Sequence, residues 1–184
     1  TTVAGTGRQN SRSQKLRNLH DIEWLLRRAS TDYIAPWVKS TAIRSFTMLA
    51  HAEATTHGSD SIQNVHFHEV GAIDSIVDTV GTLIVLHDLL QCTKSFSTSK
   101  VPFGEGQVWT SHGMMPVPAP ATVRLLIDIP TCVGPSSCTY PTGELVTPTG
   151  AALLRTLLSI DHENRQEQEE GGKTTYGNSR QTNG

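Results

Sequence analysis

The sequence predicts a mixed α/β fold of the α+β kind: a helical hairpin and a central helix packed with a small mixed sheet, between disordered termini. Three observations predict it. Apolar residues recur every three or four positions over 22–29, 38–54 and 73–84, the period of helices with one buried face. Short extended-looking stretches, bounded by Pro and Gly, fall between 65 and 133. Both ends of the chain are polar. Only 36% of the 184 residues are hydrophobic, and the shortfall sits in 1–18 and 161–184. Segments of that composition bury too little surface to offset their ordering entropy. The expected organisation is a polar N-terminal segment (1–18), a folded domain (19–160) and a polar C-terminal tail (161–184). The first residue is not methionine, which suggests a partial chain.

Asp21 to Ala29 reads as a short amphipathic helix, with Ile22, Leu25, Leu26 and Ala29 inward and Arg27 and Arg28 outward. A longer helix follows from about Ala35 to His57, with Pro36 in its first turn and Gly58 placed to end it. Together they make an αα-hairpin. His51 and His57 on this helix suit solvent-facing or capping roles better than ligation.

The richest stretch is Val65 to Gly81, VHFHEVGAIDSIVDTVG. Val65 to His68 alternates as a strand does, which sends His66 and His68 to one face and Phe67 to the other. Glu69 follows at once. Paired imidazoles beside a carboxylate are a common way to present metal ligands; the competing reading is a half-exposed strand whose histidines face water. A helix is expected over Ile73 to Leu90, with Ile73, Ile76, Val77, Val80, Leu83 and Ile84 as its core stripe. Asp74 and Asp78 stand four apart on another face, which turns apolar through Gly81 and Val85. A helix covered on both sides would enclose the two carboxylates, and enclosed like charges call for a cation or a shared proton. The helix dipole alone accounts for Asp74 better than for Asp78.

Beyond Cys92 the expectations are smaller. Ser95 to Val101 reads as a strand, Val108 and Trp109 as part of a second strand of a hairpin, and Ile129 to Val133 as one more. Between the first two, Gly104-Glu105-Gly106 makes a turn with exposed backbone N–H groups, a possible anion nest. His112 to Pro120 reads as a rigid proline-rich loop leading into a helix that ends near Ile127, and His112 is a candidate ligand held by it. Thr147-Pro148-Thr149-Gly150 opens the last helix, where Thr147 fits the cap and free N–H groups suit a phosphate or carboxylate. On this signal alone, ordinary capping, which needs no ligand, is the somewhat better explanation.

Whole-chain properties exclude several classes. A net charge of −2 without a basic, aromatic-laced stripe gives no footprint for nucleic acid. No apolar run is long enough to span a membrane. Three cysteines, Cys92, Cys132 and Cys138, form neither a disulfide framework nor a metal-binding spacing, and point to a reducing, cytoplasmic setting. A His-x-His metallohydrolase on a (β/α)₈ barrel would need about 250 residues.

Three long motifs in register, HFHEVGAIDSIVDTVG, HGMMPVPAPATVRLL and GELVTPTGAALL, resemble the LarC family, from about Asn18 to Leu158. The resemblance implies nickel insertion (cyclometallation) into pyridinium-3,5-bisthiocarboxylic acid mononucleotide, with Ni–S and Ni–C bonds formed. It also implies dependence on CTP and delivery of the finished cofactor to a lactate racemase-type acceptor. The segment that handles CTP in the family has no counterpart in this stretch. On this resemblance His66, His68, Asp74, Asp78 and His112 are the nickel-ligand candidates, and Glu69 and Asp74 the candidate bases for the ring proton. Gly104, Gly106, Thr147, Thr149 and Gly150 are the candidates for the substrate phosphate. A homo-oligomer is compatible with it. The alternatives are a divalent-metal-binding module without catalysis and a degenerate fragment.

Overall fold

The computed structural model describes residues 17–67, 73–110, 113–133 and 143–176. Its centre is α2 (Pro36–His57), against which every other α-helix packs. These are α1 (Leu19–Arg28), α3 (Ile73–Ile84), α4 (Pro120–Leu125) and α5 (Pro148–Tyr176). The reason is legible in α2 itself. Val38, Ala42, Phe46, Leu49, Ala50, Ala52 and Ala54 are buried together with Thr41 and Ser45. These positions spread over a broad arc of the helix instead of one narrow stripe, as expected of a helix covered by several neighbours, while Ser40, His51 and Thr55 face outward. Small residues among them let the neighbours approach closely.

Helix α1 begins at Leu19, two residues earlier than its apolar period suggests, because Asn18 caps it. The Asn18 carboxamide oxygen accepts from the Asp21 N–H (2.9 Å), and the Asp21 carboxylate accepts from the Asn18 N–H (3.3 Å). This reciprocal pair satisfies two otherwise orphaned donors. Leu19, Ile22 and Leu26 are buried, whereas Leu25 lies half outside. At the other end of the hairpin Gly58 takes the left-handed conformation (φ 63°), and Ser59 N–H reaches back to the Ala54 carbonyl at 2.8 Å.

Strands are short and pair in three separate ladders, whereas the sequence predicts one small sheet. Strand β1 (Arg17–Asn18) runs antiparallel to β2 (His66–Phe67). Strand β3 (Val101–Phe103) runs parallel to β6 (Thr131–Val133). Strands β4 (Gln107–Thr110) and β5 (Gly113–Pro116) form an antiparallel hairpin. The hairpin corrects one expectation: Gly113 to Pro116, read as part of a rigid loop, is the partner of β4.

A second correction concerns Ser95 to Lys100, which form no strand. Their backbone is held by α5 instead. The Asp161 carboxylate accepts from the Phe96 N–H at 3.0 Å, and the Asn164 side-chain amide donates to the Lys94 carbonyl at 3.0 Å. A third is the length of α5, which continues past the expected boundary near Ile160 to Tyr176. Burial of Ala151, Ala152 and Thr156 nucleates the helix. Extension through Arg165 to Glu170, all good helix formers, then costs little, and side-chain pairs assist it. Asp161 pairs with Arg165 one turn on (2.7 Å), and Glu163 receives both guanidinium nitrogens of Arg44 from α2.

Helix α3 behaves as its period predicts on one side only. Ile76, Thr79, Val80 and Leu83 are buried against the core, while Ile73 and Val77 are each 61% exposed. The helix passes into a π-helical turn, Val85–Leu89, whose His87 ring stacks on Trp37 of α2 at 5.7 Å. No helix among the described residues is long and apolar enough to cross a membrane.

Candidate functional site

The described candidate residues fall into two groups along the chain, one around β2 and the first turns of α3, the other at the turn after β3 and the opening of α5. Phe67 of β2 is buried edge-on against Phe46 of α2 (6.4 Å between centroids), and β1 holds β2 by pairing Arg17 with Phe67 and Asn18 with His66. The chain is thus anchored immediately before the acidic stretch. The His66 backbone lies in β2; its side chain lies outside the described residues, as do His68, Glu69 and His112.

Asp74 and Asp78 are described, and both are exposed. This overturns the expected enclosure. Helix α3 packs against α2 and α5 with one face alone, so its apolar outer residues are uncovered along with the carboxylates. Asp74 accepts from the N–H of Ser75 (2.9 Å) in the first turn, where the helix dipole favours it. The Thr82 hydroxyl donates to the Asp78 backbone carbonyl (2.7 Å). Two carboxylates one turn apart, facing solvent, are accessible to a cation without a desolvation cost. Among the described residues no group of three or more His, Cys, Asp or Glu side chains converges on one point.

The second group unites two signals that the sequence leaves separate. Gly104 is buried, and a Cβ there would fall 1.8 Å from the Gly143 carbonyl oxygen and 2.8 Å from a Val117 methyl. Only glycine permits that approach. The turn after β3 therefore lies against the segment that leads into α5. Gly106 has φ 104°, and its carbonyl accepts from the Val117 N–H at 3.0 Å, which closes the base of the β4–β5 hairpin. At the helix opening the Thr147 hydroxyl accepts from the Gly150 N–H (3.1 Å), as a cap does. Thr149 adds a half-buried hydroxyl in the first turn.

The remaining polar features are structural. Hydrogen bonding from the Phe96 N–H holds the Asp161 carboxyl below the usual carboxylate range, with Arg165 and Ser95 adding to the effect. The Arg44 hydrogen bond does the same for Glu163. His57 lies one turn from Glu53 at 3.5 Å, in keeping with a surface role. Cys92 and Cys132 are free thiols. The Thr79 and Thr122 hydroxyls are buried without a partner among the described residues. Sequence reasoning missed the anchoring role of Asp161, since nothing local marks a carboxylate whose partner lies 65 positions away.

The architecture is a small helical α/β domain with an acidic, solvent-facing helix start and a glycine-dependent junction beside a second helix start. The chain belongs to the nickel insertion protein family, whose description matches residues 2–182. It is 44% identical over 138 residues to the pyridinium-3,5-bisthiocarboxylic acid mononucleotide nickel insertion protein of Desulfitobacterium hafniense, covering 75% of this chain and 32% of that one. The protein of that name from Staphylococcus saprophyticus is 43% identical over 122 residues, covering 66% and 29%. A relative from Geobacter sp. is 49% identical over 124 residues, covering 67% and 30%. The chain spans about a third of the length of the curated relatives it matches. No solved structure matches it.

Proposed function

We propose that this chain carries the nickel-handling part of a cyclometallation: insertion of Ni²⁺ into pyridinium-3,5-bisthiocarboxylic acid mononucleotide. The observation that carries the reading is the family match over residues 2–182, together with the relatives that bear this name. The chemistry of the candidate residues supports it. Nickel(II) accepts imidazole and carboxylate ligands, and His66, His68, Asp74, Asp78 and His112 supply both kinds. Here nickel is a substrate to be handed on, and the exposed Asp74 and Asp78 suit that task better than a closed cage would. As the metal bonds to the ring carbon between the two thiocarboxylates, the proton on that carbon must leave. Glu69 or Asp74 is the base that accepts it. The Gly104–Gly106 turn and the Thr147–Gly150 helix start take the phosphate, consistent with a helix N-terminus.

In this reading CTP is the co-substrate of the whole family protein, a lactate racemase-type enzyme receives the product, and the protein works in the cytoplasm as a homo-oligomer. The test is nickel content of the purified protein against His68→Ala and Asp74→Ala. Loss of bound nickel in both variants is the expected result, and equal content in all three removes the site. A second reading is a metal-binding module without catalysis, which uses the same His66, His68, Asp74, Asp78 and His112 candidates. Nickel affinity unaltered by the pyridinium mononucleotide would select it.

A further inference from the structure

The outer face of the β4–β5 hairpin is exposed among the described residues. Trp109 is 79% exposed, and Met114, its register partner across the ladder, is 53% exposed. The next pair on that face, Gln107 and Pro116, is also exposed, while Val108, Thr110 and Met115 on the other face are half-buried. A two-stranded ribbon is stabilised by the face that packs, so the indole contributes little to the hairpin that carries it. The other two tryptophans have partners: Trp37 stacks on His87, and the Arg28 guanidinium lies 4.9 Å from the Trp24 ring centre. Among the described residues Trp109 has no such contact.

Its location is specific. The base of the hairpin is fixed where Val117 N–H meets the Gly106 carbonyl, and the adjoining Gly104 abuts Gly143 on the way to the α5 helix start. From Gly106 to Trp109 a strand rises roughly 10 Å at about 3.3 Å per residue. That is the scale of a mononucleotide lying along β4, with its phosphate at the base and its ring at the tryptophan.

We propose that Trp109, flanked by Met114, is the stacking platform for the pyridinium ring of the substrate. The inference rests on the nickel-insertion reading and names the part of the site that holds the ring. A pyridinium is planar and cationic, and the indole face, rich in π density, is the strongest aromatic partner for such a group. A thioether beside it is polarisable and adaptable, and it favours contact with a ring edge. The reaction geometry demands the same arrangement. Nickel must reach a ring carbon and two flanking sulfurs in the plane of the ring, so the ring has to be gripped by its face with the reacting edge left open. A stacked indole does this, whereas a pocket closed around the edge would block the metal.

The test is calorimetric titration of the full chain with pyridinium-3,5-dicarboxylic acid mononucleotide, the oxygen analogue, comparing wild type, Trp109→Phe and Trp109→Leu. Ribose 5-phosphate serves as the ring-free control. Trp109→Leu should weaken analogue binding about tenfold, the usual scale of a lost aromatic stack. Trp109→Phe should lose less, and ribose 5-phosphate should bind all three alike. If wild type binds the analogue and Trp109→Leu binds it equally well, the ring lies elsewhere and the stacking role is overturned, with the nickel-insertion reading intact. A matching loss for ribose 5-phosphate would mean that the phosphate junction is damaged, and would overturn the stacking role. No binding of either ligand to wild type would overturn both this inference and the reading beneath it.

Discussion

The surroundings of α2 and the outer face of α3 use apolar residues in opposite ways. Around α2, Val38, Ala42, Phe46, Leu49 and Ala50 are at most 1% exposed, and four helices close over them. On α3 and the turn after it, Ile73, Val77, Val85 and Leu89 stand 45–74% exposed, interleaved with Asp74 and Asp78. The hairpin repeats the second pattern with Trp109 and Met114. The first region is built for stability. The second sets apolar surface beside carboxylates or beside a candidate phosphate junction, the composition of a surface that meets something else. Stability and the exposed candidate residues therefore sit on separate faces, and substitutions should separate them.

The largest expected difference is in unfolding free energy. Phe46→Ala removes a ring that packs on Phe67 at the centre of the core, and should cost about 3–5 kcal/mol. Val77→Ala on the outer face should stay within about 0.5 kcal/mol. Urea unfolding measures both. A cost at Val77 approaching that at Phe46 would show that a partner covers the outer face and would dissolve the contrast.

Glycines sharpen the same comparison. At Gly104 a methyl group would meet a backbone oxygen that cannot swing away, so Gly104→Ala should destabilise by about 1–3 kcal/mol, as overpacking does. The hairpin should also loosen from the α5 opening. At Gly81 on α3 an added Cβ meets nothing within 4 Å. Gly81→Ala should therefore stabilise the chain by about 0.5–1 kcal/mol through helix propensity. Thermal unfolding of the two variants should shift in opposite directions.

What the sequence made legible follows from range. The αα-hairpin, its Gly58 terminus, the α3 period and the Thr147 cap are all local, set by residues within a few positions of one another. The family resemblance was legible for the same reason, since it rests on three contiguous motifs. Contacts between distant segments were not. The approach of Gly104 to Gly143 joins two turns with no mutual pattern, and the anchoring of Phe96 by Asp161 replaces a strand that Ser95 to Val101 would otherwise suggest. The supposed burial of Asp74 and Asp78 failed on a different point. Apolar residues on two faces of α3 suggest cover on two faces, but the outer set stays largely exposed.

Asp161 offers a pH test of the long-range anchor. Its folded-state pKa is lowered, chiefly by the Phe96 N–H. The stabilisation is thus complete above the unfolded aspartate value of about 3.9 and is lost as pH falls through the lower folded value. Glu163, lowered by Arg44, acts in the same direction. Asp161→Asn should flatten the acid limb of a stability–pH profile while leaving its slope near neutrality unchanged. An acid limb identical to wild type would mean that the 95–100 segment is not held by this carboxylate.

The smallest expected effect on stability is the most telling for function. Asp78 faces solvent one turn from Asp74, and like charges at that spacing repel by about 0.2–0.5 kcal/mol. Asp78→Asn removes the repulsion and buries nothing, so the melting temperature should hold or rise slightly. The same substitution removes one of the oxygen ligands proposed for nickel, and nickel affinity should fall. The two readouts then diverge, as expected where a pair of like charges is kept for a cation instead of for the fold. If Asp78→Asn lowered the melting temperature as a core substitution does, the carboxylate would be serving the fold. If it changed neither quantity, Asp78 would be an ordinary surface residue, and the ligand set would contract to His66, His68, Asp74 and His112.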